Sequence, residues 1–124
     1  MRLDRASFEQ VVRDAVASIP SSFRRYLDGL VVDVEDEPAA ELLAEMEMDD
    51  PTELLGLYTG TPWTERSVEE PVGLPDHVII YQRNLERMCE TRDELLAEVQ
   101  RTVLHEVGHH FGLDEENLEE FGYE

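Results

Sequence analysis

Residues 91–112 read TRDELLAEVQRTVLHEVGHHFG, and this stretch decides the fold. Its apolar residues recur at helical spacing. With Leu96 set at 0° and about 100° per residue, Leu95, Val99, Val103, Leu104, Val107 and Phe111 fall between about 260° and 80°. Thr91 with Glu94 forms a capping-box pair at the start, and Gly112 is a natural C-terminal stop. The spacing therefore predicts one long amphipathic helix whose stripe faces a core. His105 and His109 fall at about 180° and 220°, away from that stripe. His110 falls at about 320°, inside it, and reads as a packed or supporting histidine.

Two histidines four residues apart lie one turn apart on a single helix face. Both imidazoles of His105 and His109 can then reach one Zn²⁺, at about 2.0–2.1 Å in known sites. Glu106 follows the first of them, and a carboxylate there can take a proton from a water as it attacks a carbonyl. A catalytic zinc site also needs a third protein ligand and an open position. Fifteen residues follow His109, so that ligand is expected just past Gly112, where the chain can turn back. Asp114, Glu115, Glu116 and Glu119 are the candidates. The extended form of the motif delivers its third ligand ten positions after the first histidine, at Glu115, with Asp114 its nearest rival. No methionine lies beyond the motif, which excludes a Met-turn. Tyr81 and Tyr123 are the tyrosines considered for stabilising an oxyanion.

Outward from this helix, Phe8, Val11, Val12, Ala15, Val16 and Ile19 form one face of a second amphipathic helix over residues 7–19. Ser7 with Gln10 is its expected capping box and Pro20 its stop. A short helical segment at Ser22–Leu27 ends at Gly29. Leu30–Glu35 alternates as a half-buried strand closed by Pro38. Residues 39–48 suit an acidic helical turn or a loop. Leu54–Tyr58 and the apolar HVIIY of His77–Tyr81 are further strands, and Asn84–Cys89 can form a helical turn. Residues 59–76 contain three prolines and two glycines without periodicity. That length of connection suits either a flap over a cleft or an unstructured loop with Trp63 packed. A last short helix is expected at Asp114–Phe121.

The whole chain of 124 residues is read as one domain, 1–124, of α+β class. Its net charge of −20, with ten basic residues that are all arginine, would repel a nucleic-acid backbone. The same charge favours solubility and can attract basic peptides or protein surfaces, although a plain solvated acidic surface is the commoner meaning of such a charge. No apolar run approaches the roughly 20 residues of a membrane span, and the N-terminus has no apolar signal region. Cys89 is the lone cysteine and suits a reducing compartment as a small buried hydrophobe. The expectation is a soluble cytoplasmic monomer.

The string TVLHEVGHHFGLDEENL resembles the motif of a family of very small bacterial zincin-like proteins of the zinc metallopeptidase type. FEQVVRDAVASIPSSFRRYLDGLVVDVEDEP is similar to that family's N-terminal helix and first strand. LLGLYTGTPWTERS and LPDHVIIYQRNL are similar to its next two strands and the loop between them. The resemblance implies a reduced zincin fold: a small sheet of three to four strands packed on an N-terminal helix and a long HExxH helix. It also implies the pattern HExxHxxGxxD. His105, Glu106, His109 and Gly112 match it, whereas Glu115 stands where the final Asp belongs. The function expected is peptide hydrolysis with zinc as cofactor and Glu106 as general base. The alternatives are a zinc-stabilised module without turnover, which needs no base at Glu106, and an acidic interaction protein, in which the HEVGH helix would be accidental.

Overall fold

The computed structural model describes residues 1–59 and 77–110. The chain opens with helix α1 (Arg5–Ala17), followed by a 3₁₀ turn at Ser21–Phe23 and the short α2 (Arg24–Leu27). Strand β1 (Val31–Glu35), helix α3 (Ala40–Glu45), a 3₁₀ turn at Pro51–Glu53 and strand β2 (Gly56–Thr59) come next. Strand β3 (His77–Tyr81), helix α4 (Gln82–Arg87) and the long α5 (Arg92–His110) complete the described elements. Among the described residues no helix is long and apolar enough to cross a membrane.

The three strands form one sheet in the order β1-β3-β2. β1 runs parallel to β3, from Val31 opposite His77 to Glu35 opposite Tyr81. β2 runs antiparallel to β3, from Gly56 opposite Ile80 to Thr59 opposite His77. The continuous apolar run HVIIY becomes the central strand, as expected where both neighbours and one face are covered. Val78 and Ile80 are fully buried. β1 alternates between exposed and half-buried positions, with Val32 and Val34 turned inward.

α5 lies against β2 and β3 and packs on α1. Its stripe is buried where the helical period placed it: Leu95, Val99, Val103, Leu104 and Val107 join Phe8, Val11, Val12 and Ala15 in one cluster. Each such side chain contributes about 1.5–3 kcal/mol relative to an exposed position. Gln100 Nε2 donates to Ala15 O at 2.9 Å, and Arg92 pairs with Asp14, so the two helices are also held by polar contacts.

Two expectations are corrected at helix starts. Asp4, rather than Ser7 with Gln10, caps α1: its carboxylate accepts the Ser7 N–H at 2.7 Å, and the helix begins at Arg5. Gln10 instead bonds Asp14 on the same helix surface. Thr91 caps α5 as expected, accepting the Glu94 N–H, but Glu94 reaches back to the Glu90 N–H instead of that of Thr91. β1 and β2 also begin one and two residues later than their sequence ranges, within the usual scatter of element ends. Residues 39–48 resolve in favour of a helical turn, α3. Gly29 has φ +77°, a left-handed conformation suited to glycine at the turn into β1.

Candidate metal centre and cleft

α5 presents two surfaces. The stripe is buried, and the opposite surface borders a cleft of about 360 Å³. Thr102, His105, Glu106 and His109 line one wall, and Leu54, Leu55 and Gly56 line the other. Glu53, Glu98 and Arg101 add charge to the lining, and Arg101 pairs with Glu98. The second wall is held in place by Asn84, whose buried amide donates to Pro51 O at 2.8 Å and Leu54 O at 2.7 Å. The helix carrying Asn84 thus fixes the segment that leads into β2.

The structure brings His105 and His109 together. Their ring centroids lie 4.2 Å apart, with the planes at 65°. His105 is half-buried and His109 exposed, so both rings stand clear of the core. Glu106 sits at about 280° on the same wheel, at the border between buried stripe and cleft. It is half-buried and still lines the cleft. Burial pushes its carboxyl above the ordinary carboxylate range; His109, His105 and the Tyr58 backbone N–H pull in the opposite direction without cancelling that effect. An imidazole pair next to a raised carboxylate is a donor set suited to a divalent transition metal with a base beside it. Among the described residues no group of three His, Cys, Asp or Glu side chains could hold a metal.

Other expected residues lie elsewhere. His77 is at the sheet rim, its Nδ1 3.2 Å from Asp33 Oδ2. Tyr81 is buried in the core and does not line the cleft, which removes it as an oxyanion donor; burial also raises its phenol pKa. Cys89 is buried, and burial raises its thiol pKa, as for a packing residue rather than a nucleophile. Gly112, Asp114, Glu115, Glu116, Glu119 and Tyr123 lie outside the described residues, as do Trp63, the connection after Thr59 and the expected last helix; so does the side chain of His110.

Sequence reasoning did not single out Arg101, Thr102 or Gly56 as part of the cleft. Arg101 and Thr102 each precede a site residue by four positions, so the helical period alone would have placed them beside His105 and Glu106. Gly56 carries no such signal, because what it meets lies across the fold.

A family model described as zincin-like metallopeptidase matches residues 27–123. The chain belongs to the zincin-like metallopeptidase family. Membership carries zinc binding as a general property of the family, and the mixed fold with its small three-stranded sheet agrees with a reduced zincin. A solved structure of a conserved hypothetical protein from Thermus thermophilus is similar at TM-score 0.55 and 26% identity. That likeness covers 88% of this chain and 94% of the other. No curated protein matches the chain.

Proposed function

We propose that this zincin-like protein is a zinc-dependent peptidase in which His105, His109 and Glu115 hold the metal and Glu106 is the general base. The observation that carries this reading is the common cleft: two adjacent imidazoles and a half-buried carboxylate open onto one space beside the start of β2. Zinc, when bound, supplies Lewis-acid polarisation of a peptide carbonyl and acidifies a water. Glu106 takes the proton of the attacking water and delivers it to the leaving amine. A carboxyl held above its ordinary range is better matched to that proton transfer near neutral pH. Leu54 and Leu55 offer apolar surface to a substrate side chain, and Glu53 and Glu98 with the −20 charge favour basic peptides.

Metal content per chain after zinc loading tests the ligands: the wild type is expected to hold about one zinc, and His105→Ala and His109→Ala to hold less. Stoichiometry equal to wild type in both variants overturns the site. Chelator competition tests the third ligand. Glu115→Ala is expected to weaken zinc binding and Glu115→Asp to retain it. Asp114→Ala is expected to leave affinity nearly unchanged, and the opposite pattern reverses the assignment. Cleavage of a mixed peptide library by the loaded protein, absent after chelation, tests hydrolysis itself.

A further inference from the structure

The cleft wall that faces α5 is a loop leading into β2, and loops are the parts of a fold that yield most readily. This loop is bonded along its length. Asp50 Oδ1 accepts from Thr52 N at 2.9 Å and from Thr52 Oγ1 at 2.7 Å, and Asp50 O accepts from Glu53 N at 3.3 Å. Pro51 opens the 3₁₀ turn with its φ fixed by the ring. Leu55 O accepts from Tyr81 N at 3.0 Å. Two further carbonyls, Pro51 O and Leu54 O, accept from one amide, Asn84 Nδ2.

Asn84 is 1% exposed, and each of its side-chain polar atoms is engaged. Its Oδ1 accepts from Arg87 Nη1 at 2.5 Å, and Arg87 Nη2 pairs with Glu37 at 2.9 Å, on the segment between β1 and α3. The amide is therefore oriented from behind before it grips the loop in front. Asn84 does not itself line the cleft, and its side-chain hydrogen bonds end on the loop backbone and on Arg87. Whatever it does for the cleft, it does through Leu54 and Leu55, which line the wall facing His105 and Glu106.

We infer that Asn84 is a positioning residue for substrate binding: it fixes Leu54 and Leu55 so that the space between them and α5 fits an apolar substrate side chain. The inference rests on the peptidase reading of the cleft. An apolar subsite selects only while its walls stay in place, because a misfit of about one methylene already changes discrimination about 10-fold or more. The groups that Asn84 holds carry apolar side chains and no chemistry, so its loss falls on binding and not on the catalytic step.

Asn84→Asp tests this, since it keeps the shape and the acceptor for Arg87 and removes both donors. On the zinc-loaded protein, KM for a library peptide cleaved by wild type is expected to rise about 10-fold, with kcat and zinc per chain unchanged. Leu55→Ala is expected to show the same split. The double variant should raise KM little beyond the larger single effect, because both changes remove one interaction. A second readout needs no turnover. The Tyr81 N–H, whose acceptor is on the loop, is expected to exchange faster by NMR in Asn84→Asp, while amides of α1 keep wild-type protection. A merely structural role lowers protection everywhere and leaves the KM of the folded fraction unchanged, and that result overturns the inference. So does a double variant in which the two single effects multiply. Should Asn84→Asp fail to fold, Arg87→Ala decides: it removes the donor that orients the amide and is expected to raise KM by a smaller factor, and an unchanged KM overturns the inference. A wild type that holds zinc but cleaves no library peptide sinks the peptidase reading. The hold of Asn84 on the wall is then read from Tyr81 exchange alone, and unchanged exchange overturns it.

Discussion

Two glutamates withdrawn from water occupy consecutive helices, and they are treated in opposite ways. Glu86 on α4 is 2% exposed and surrounded by donors. Its carboxylate accepts from Leu3 N at 2.8 Å, Gln82 Nε2 at 3.1 Å and Arg83 Nη1 at 2.6 Å. Gln82 in turn donates to Leu3 O and accepts from Arg5, so the network ties the start of the chain to α4. Glu106 on α5 is half-buried, lines the cleft and is flanked by two imidazoles, and its carboxyl is raised by burial. A buried carboxylate whose lone pairs are filled is a structural joint, whereas one with capacity left over and an open cleft before it is available for chemistry. Burial alone does not separate the two; the donor inventory does.

The largest expected effect tests the second half of that contrast. Glu106→Gln is expected to slow peptide hydrolysis by about 10²–10⁴-fold while zinc content stays at the wild-type level. Steady-state kinetics with metal analysis on the same sample checks it, and unchanged hydrolysis eliminates the base. Glu86→Ala is expected to do the reverse. Removing the acceptor strands Arg83, Gln82 and the Leu3 amide, and breaking such a buried pair costs about 3–5 kcal/mol of stability. Urea denaturation reads the loss, and kcat of the folded fraction should stay near wild type.

A smaller effect concerns the pH dependence of Glu106. Because the folded-state pKa of Glu106 lies above its unfolded value, the metal-free folded protein binds more protons there than the unfolded chain does. Its charge therefore destabilises the fold as pH rises through the interval between the two values, and the penalty is absent below the ordinary glutamate range. Metal-free Glu106→Gln is expected to melt higher than wild type at neutral pH, with the gap closing on acidification. A gap that is constant with pH would show that the carboxyl is not desolvated. The smallest effect concerns the remaining described histidine. His77→Ala removes a half-exposed pair with Asp33 at the sheet rim, and stability should change by no more than about 1 kcal/mol. Zinc content should not change; a loss of metal there would break the assignment of the site to α5.

The long helix was legible over its described residues because its information is local. A period of 3.6 residues sorted Leu95, Val99, Val103 and Val107 to one side and His105 and His109 to the other, and the structure keeps that division. The central strand was legible from HVIIY for the same reason. The cap of α1 was misplaced because Asp4 and Ser7 are both competent caps three residues apart, and the helix extends to the earlier one.

What the sequence by itself determined is the chemistry offered: two imidazoles and a carboxylate on one turn of a helix, a core stripe opposite them, and an acidic surface. Tertiary structure alone decided the surroundings of that chemistry. Leu54 and Leu55 face His105 across a cleft because Asn84, some thirty residues later, ties down the segment they belong to. Gly56 reads as one glycine among seven until Thr102 is seen to fill the space a side chain would need. Glu86 and Glu106 are the same residue type on neighbouring helices, and their difference appears only when the donors around each are in place. The physical reason is common to all three cases: helical period and residue chemistry act over a few positions, whereas desolvation and hydrogen-bond satisfaction depend on which distant segments close over a group.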